Sequence, residues 1–498
     1  MDILMVSSEV SPIAKVGGLA DAVAALAKTL SRLGHKITLA MPRYRADESS
    51  GAMLARRLTP LRLPVSRAGG APLEATLYDG RLGSAVELVL IDVPGLFDRP
   101  AATDVGGAEQ PPEAGHAAAR GVYGSEGEGD PEEVFRFGVF ARAAAELALR
   151  RSAGGKPFDV VHAHDWPAAL VPYFLRGKGV RRVLTVHNGA FQGVAPRETA
   201  LELGIDAADF HPGLGEFYGK LNCLKLGALS ADVVTTVSPT YARELATAAR
   251  GHGLDGVFAG FGDRLVGITN GVDYAVWSPA TDPYLPARYD AEEPSNKGRC
   301  KATLCNELEL AVDPDRPLLV ALGRVDAQKG SDLLASALPR LTQAGCQVVV
   351  AGTGDPALVQ ALTDAVRGEP GARYLGGVSE PMSHRLLAAA DAVLVPSRHE
   401  PCGLVQQYGQ RYGAPPIAHA VGGLCDTIVD CDAGLATGTG FLFEEPSTTA
   451  LVGAVERALS AMRTPRWAAL RRRTMRLDLS WERPARRYAK LYAERPAT

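Results

Sequence analysis

The sequence predicts an α/β protein made of two doubly wound parallel-sheet domains, and three observations carry that prediction. At 498 residues the chain exceeds what one hydrophobic core usually serves. Short apolar runs of strand length alternate with helix-period stretches in both halves of the chain. Several of these runs end in loops that combine glycine with a cation or a carboxylate, which is where open parallel sheets hold their ligands.

Taken in order, Ile3-Leu4-Met5-Val6 reads as a buried strand, followed by the loop Lys15-Val16-Gly17-Gly18-Leu19-Ala20-Asp21 and a helical run over 22–33. Further strand-length runs follow at 37–40, 85–93, 160–163, 183–186 and 233–237. Residues 101–122 are rich in Ala, Gly, Glu and Pro and read as a flexible surface insertion. The stretch 278–296 breaks both periodicities and follows Asn270-Gly271-Val272-Asp273, which puts a domain boundary close by. Strand-helix alternation resumes with runs at 318–322, 347–351 and 392–395. The expected layout is an N-terminal domain over 1–265, a C-terminal domain over 266–480, and a final segment over 481–498 whose helix packs back on the first domain.

Composition narrows the function classes. A hydrophobic share of 46% with 22% charged residues belongs to a globular protein in water, and a net charge of −3 supplies no general basic field for nucleic acid. Any anion must therefore be gripped locally. The seven cysteines are scattered and odd in number, without a Cys-x-x-Cys spacing, so reduced thiols are expected. No basic leader and no apolar run of about 20 residues is present, so neither a signal peptide nor a membrane span is expected, and a cytoplasmic location follows.

Three loops carry the chemistry. Lys15 with Gly17 and Gly18 precedes a helix, where backbone N–H groups face an anion; a plain tight turn is the bland alternative. Arg324 and Lys329 flank Val325-Asp326-Ala327-Gln328 before Gly330, and cations at a helix start oppose its dipole, so an anionic partner is expected to compensate them. Glu400-Pro401-Cys402-Gly403-Leu404 places a carboxylate beside a turn, either for a polyol or as a helix cap. Together they suggest a pocket for a diphosphate bearing a neutral sugar. His162 and His164 fall on one face of a strand, but no third ligand stands at metal spacing, so no metal and no cofactor is expected. Asp313-Pro314-Asp315 and Asp430-Cys431-Asp432 are discounted as metal motifs. His187-Asn188 ends a strand as a polar pair suited to a site.

With the loops come His162-Ala163-His164-Asp165-Trp166, Val237-Ser238-Pro239-Thr240-Tyr241-Ala242, Asn270-Gly271-Val272-Asp273, Val395-Pro396-Ser397-Arg398 and Gly422-Gly423-Leu424. In this order they make the chain resemble the bacterial glycogen synthase and plant starch synthase family over essentially its full length. The resemblance implies the GT-B fold, two Rossmann-like domains facing across a deep cleft, and retaining transfer of glucose from ADP-glucose to a glycogen or other α-1,4-glucan acceptor. It implies catalytic roles for Glu400, Arg324, Lys329, His187 and Asp165. It implies donor contacts from Lys15, Gly17, Gly18, Asp21, Asn270, Cys402, Gly403 and Leu404. Position 408 is Tyr408, so the paired carboxylates of a glycosidase are not expected, and same-face attack assisted by the departing phosphate is. Pro167 and Val378 depart from the family pattern, and Tyr123 is a candidate acceptor-side or phosphate-side tyrosine.

Rival readings are a transferase of the same fold using UDP-glucose or another acceptor, a phosphorylase, a glucan-binding scaffold without activity, and a nicotinamide-dependent oxidoreductase. The last is disfavoured because Gly352-Thr353-Gly354 continues with Asp355-Pro356 in place of the needed glycine.

Overall fold

A computed structural model describes residues 1–44, 54–67, 70–97, 122–123 and 130–494. Apart from Val122, the stretch 101–122 lies outside the described residues. The chain divides into two compact units. Unit 1 comprises Met1–Val237, Ala242–Ile268 and Trp481–Thr498; unit 2 comprises Ser238–Tyr241 and Thr269–Ser480.

Unit 1 is centred on a parallel run of strands ordered Leu265–Gly267, Val233–Thr236, Arg181–Val186, Val160–His164, Asp2–Val6, Lys36–Pro42 and Val86–Asp92. Glu74–Leu82 and Ala55–Arg56 extend that edge antiparallel. Asp2–Val6 pairs with the next strand in sequence, Lys36–Pro42, on one side and with Val160–His164 on the other. The strand order therefore reverses between Asp2–Val6 and Val160–His164, and the loops leaving these two strands splay apart into a crevice. After Asp2 the strand's side chains are apolar, and Ile3 to Val6 are fully buried, as a strand covered on both faces must be.

Unit 2 repeats the logic with strands ordered Ala372–Leu375, Gln347–Ala351, Leu318–Leu322, Ala392–Val395, Pro416–His419 and Phe441–Phe443, all parallel. Leu319 and Ala321 join one apolar cluster while Leu318 and Val320 join another, so period-2 alternation buries both faces of the sheet. The order reverses between Leu318–Leu322 and Ala392–Val395, and the loops Gly323–Gly330 and Pro396–Leu404 leave from these strands.

The irregular stretch around 278–295 is part of unit 2 rather than a bare linker. Trp277 stacks between His384 and Tyr408 at 3.9 and 4.0 Å, and buried Asp282 accepts hydrogen bonds from Tyr412 and His384. In unit 1 the helix Glu482–Ala493 places Tyr488 and Tyr492 in the core. Tyr492 Oη lies 2.7 Å from His162 Nδ1, so the far end of the chain closes the back of a central strand.

Candidate functional site

Each unit gathers its polar residues at its own strand-order reversal. In unit 2 the loop after Leu318–Leu322 and the loop after Ala392–Val395 touch closely because Gly330 sits at φ 72°, where any Cβ would come within 2.3 Å of the Pro396 carbonyl oxygen. The Arg398 amide donates to the Gln328 carbonyl at 2.8 Å, tying one loop to the other. Lys329 Nζ consequently donates to both oxygens of Glu400, at 2.9 and 2.6 Å, across 71 residues of sequence. Ser397 Oγ gives Glu400 a further hydrogen bond at 2.9 Å. The compensating anion expected for these cations is therefore supplied by the protein: Glu400 for Lys329, and Asp326 at 3.3 Å for Arg324.

Glu400 does not cap the following helix, Val405–Arg411, whose N-cap Leu404 carries no side-chain hydrogen bond. Cys402 is buried, and burial pushes its thiol up to about 12. It is a packing residue against which Gly423 closes, since a Cβ on Gly423 would meet the Cys402 carbonyl oxygen at 2.3 Å. Asn270 is buried, and its backbone N–H is hydrogen-bonded to the Cys402 thiol. Gly403, at φ 73°, turns the chain so that its carbonyl accepts from Gln406 and Gln407. The Asp-x-Asp stretches are structural: Asp430 pairs with Arg457 and Asp432 receives the Thr437 amide, while Asp313 caps its own turn through the Asp315 amide.

In unit 1 the first loop is arranged differently from the sequence reading. The helix after it spans Gly18–Arg32, so Gly18 already belongs to the helix. The Val16 and Gly17 amides, expected to face a bound anion, donate to Glu9 Oε2 at 2.7 and 3.1 Å. That leaves the amides of the helix's first turn, including Gly18, without intrahelical partners. Lys15 Nζ pairs with Asp21 at 2.9 Å.

Glu9 is the residue that sequence reasoning missed. It lies three residues beyond a buried strand, is itself buried, and takes a third hydrogen bond from Tyr123 at 2.8 Å. Burial raises its carboxyl above the usual range against the pull of these donors. The only sequence signal was a carboxylate following an all-apolar strand at the ligand end of a sheet. Because Glu9→Ala leaves the exposed Val16 and Gly17 amides to water and removes the acceptor of the Tyr123 hydroxyl, it is expected to destabilise unit 1 by roughly 0.5–1.5 kcal/mol for each hydrogen bond lost. Chemical denaturation of the variant checks this, and an unchanged midpoint would refute the tie.

Val160–His164 runs directly into the short helix Asp165–Ala168, whose first residue, Asp165, is a non-glycine residue at φ 61°. Such strain persists where surrounding contacts impose it. Here the His187 and Asn188 amides donate to Asp165 Oδ1 at 3.3 and 3.5 Å, linking the ends of adjacent strands. Burial raises Asp165 to about 7, opposed by these amides. His187 Nε2 lies 3.1 Å from His164 Nδ1, and burial lowers His187 to about 3, so its ring is neutral near pH 7. Both nitrogens of His162 are taken, by Tyr492 and by Thr185 at 2.6 Å. Among the described residues, no group of three or more His, Cys, Asp or Glu is placed to hold a metal ion.

Lys329, Glu400 and Arg324 thus share one end of the unit 2 sheet, and Asp165, His187, Glu9 and the Lys15 loop share one end of the unit 1 sheet. The chain is similar to several known proteins. The family described as starch synthase catalytic domain matches residues 2–260, and glycosyl transferases group 1 matches residues 307–471. A glycogen synthase of Anaeromyxobacter sp. (strain Fw109-5) is 42% identical, with 99% of each chain covered. One from Paracidovorax citrulli is 39% identical, covering 99% of this chain and 94% of the relative. The catalytic domain of starch synthase IV from Arabidopsis thaliana, solved with ADP and acarbose, superposes with a TM-score of 0.87 at 30% identity over 98% of both chains. A sucrose-phosphate synthase from Thermosynechococcus elongatus, 18% identical with a TM-score of 0.60 over 99% of this chain and 98% of that one, shares the fold.

Proposed function

The chain belongs to the starch and glycogen synthase family of glycosyltransferases, with the GT-B fold, and from that premise we propose that it transfers glucose from ADP-glucose to the non-reducing end of an α-1,4-glucan with retention of configuration. The observation that carries this reading is the Lys329–Glu400 pair beside Arg324 at the strand-order reversal of unit 2. Departure of a nucleoside diphosphate builds negative charge on phosphate oxygens, and fixed cations there stabilise the transition state more than the ground state. An ammonium has three N–H donors, so Lys329 can hold both Glu400 oxygens and still reach a phosphate oxygen. Glu400 is then oriented toward sugar hydroxyls, with Gly403 and Leu404 beside it and Asn270 and Cys402 shaping the loop beneath.

Unit 1 contributes Lys15, positioned by Asp21 and by the Glu9-bound loop, and the first-turn amide of Gly18. Gly17 serves through that tie to Glu9 and not as an open anion donor. To Asp165 and His187 we assign contact with the reacting sugar. A neutral imidazole accepts or donates a hydrogen bond without setting a positive charge beside an oxocarbenium-like carbon, while ionised Asp165 screens that charge. The C1–O bond to phosphate breaks and the bond from C1 to the acceptor oxygen forms on the same face. The acceptor proton passes to the departing phosphate oxygen, and ADP leaves. Tyr408 is packed against Trp277, so no carboxylate at that position enters the reaction.

All seven cysteines are free thiols, and no helix of the described residues is long and apolar enough to cross a membrane; we assign the enzyme to the cytoplasm on the first of these. Release of nucleoside diphosphate from ADP-glucose and from UDP-glucose, each with and without glycogen, tests the proposal. Primer-dependent ADP release well above UDP release is expected. Preference for UDP-glucose would replace the donor, and no primer-dependent release from either would overturn the reading.

A further inference from the structure

His164 stands directly against His187 in unit 1, and the proposed reaction gives it no task. It is the last residue of the strand Val160–His164, is 1% exposed, and lies against the His162 ring with centroids 4.0 Å apart. Its Nδ1 is 3.1 Å from His187 Nε2. Its Nε2 is buried and has no hydrogen-bond partner among the described residues. His162 supplies none, because both of its nitrogens are engaged, by Tyr492 and by Thr185. His187 itself is partly exposed, and its Nδ1 has no partner among the described residues.

For packing alone a buried histidine with one stranded nitrogen is a poor choice, since Leu or Phe would fill the space without an unpaired polar atom. The stranded nitrogen nevertheless decides where the protons lie. Burial, with the imidazoles of His162 and His187 beside it, holds His164 well below its ordinary value, and burial lowers His187 as well. Both rings are therefore neutral near pH 7, and each carries one N–H. A single proton lies between them. If His187 Nε2 were its donor, the proton of His164 would sit on Nε2 as a buried N–H with no acceptor. If His164 Nδ1 is the donor, the stranded atom is a bare lone pair. Orphaned N–H groups are the rarer of the two in folded interiors, so the second arrangement is favoured. It puts the proton of His187 on Nδ1, the nitrogen left open for a ligand.

Resting on the proposed contact between His187 and the reacting sugar, we infer that His164 is a positioning residue that holds His187 as the Nδ1–H tautomer, so that His187 meets the sugar as a hydrogen-bond donor to an oxygen and not as a base. A fixed donor of this kind selects a sugar that carries the matching oxygen, because a sugar without it leaves the N–H unpaired. NMR of the full-length protein labelled at its histidine nitrogens reads the tautomer directly, with His187→Gln identifying the His187 signals. Protonated Nδ1 and bare Nε2 are expected. His164→Asn keeps an amide N–H close to the place of Nδ1, whereas His164→Phe keeps a ring and removes the donor. The Phe variant is expected to lose roughly 10- to 100-fold in kcat with KM for ADP-glucose little changed and its His187 proton no longer held on Nδ1, and the Asn variant to stay within about threefold of the parent. A proton on His187 Nε2 of the parent overturns the inference whatever the variants do, and so does parental kcat in the Phe variant or an Asn variant as slow as Phe. Should the Phe variant fail to fold, the parent spectrum and the Asn variant still decide. If the parent transfers glucose from neither ADP-glucose nor UDP-glucose, the proposed function falls and takes the sugar contact with it, while the spectrum separately decides the tautomer.

Discussion

Lys329→Ala and Arg324→Ala are each expected to cut turnover by roughly 10²–10³-fold, the usual effect of removing one fixed donor to a developing anion, yet to part company in stability. Arg324 is about half exposed and, among the described residues, reaches Asp326 at 3.3 Å and Gln328 at 3.0 Å, so its loss is expected to leave the fold intact. Lys329 is the cation of Glu400, whose side chain is only 7% exposed. Without it that carboxylate keeps Ser397 Oγ alone, and an unsatisfied buried acceptor costs about 1–3 kcal/mol. Adding Glu400→Gln to Lys329→Ala removes the uncompensated charge. The double variant is therefore expected to recover thermal stability and to stay inactive. Steady-state ADP release and thermal unfolding on the four proteins check both arms. Near-parental turnover in either single variant would remove the diphosphate assignment, and no stability difference between the two would show that the pair carries no structural weight.

The parallel strands of both units were legible because they are buried on both faces, and an unbroken apolar run such as Leu318-Leu319-Val320-Ala321-Leu322 leaves little other choice. The antiparallel strand Glu74–Leu82 was not read, since it is only partly buried and carries Asp79, Gly80 and Arg81, which weaken any strand pattern. The site was legible loop by loop and not in its pairings. Each of Lys329 and Glu400 stood out as a charge at a strand end, but that one neutralises the other depends on how closely Gly330 lets the loops approach. The Glu9 carboxylate that takes the Gly17 amide is likewise a tertiary fact, as is the bond from Tyr492 to His162 across 330 residues. Local sequence reports burial and turn chemistry, and long-range partners appear only once the sheet order is fixed.

Asp165→Asn is expected to lower kcat by roughly 10²–10³-fold and to erase one limb of the pH profile. Burial lifts the Asp165 carboxyl to about 7, with nearby Glu9 adding repulsion, and the His187, Asn188 and Trp166 amides oppose that rise. If the ionised form screens the positive sugar, kcat/KM of the parent rises with pH through about 7 and levels above it, whereas the amide variant lacks that limb. Stability runs the other way. A carboxyl whose folded value is raised contributes stability that is fully present below the ordinary carboxylate range and is lost as pH rises through about 7, because the buried group must then ionise. Asparagine tolerates the left-handed backbone at φ 61° and keeps an oxygen for the two amides, so the substitution introduces no new strain. The variant should match the parent near pH 5 and exceed it near pH 8 in thermal unfolding, while its catalytic deficit is largest near pH 8 and narrows toward pH 5 as the parent loses its ionised carboxylate. A parent profile flat between those pH values, or a variant less stable than the parent at the higher one, would mean that Asp165 is not the buried, late-ionising carboxylate on which this mechanism depends.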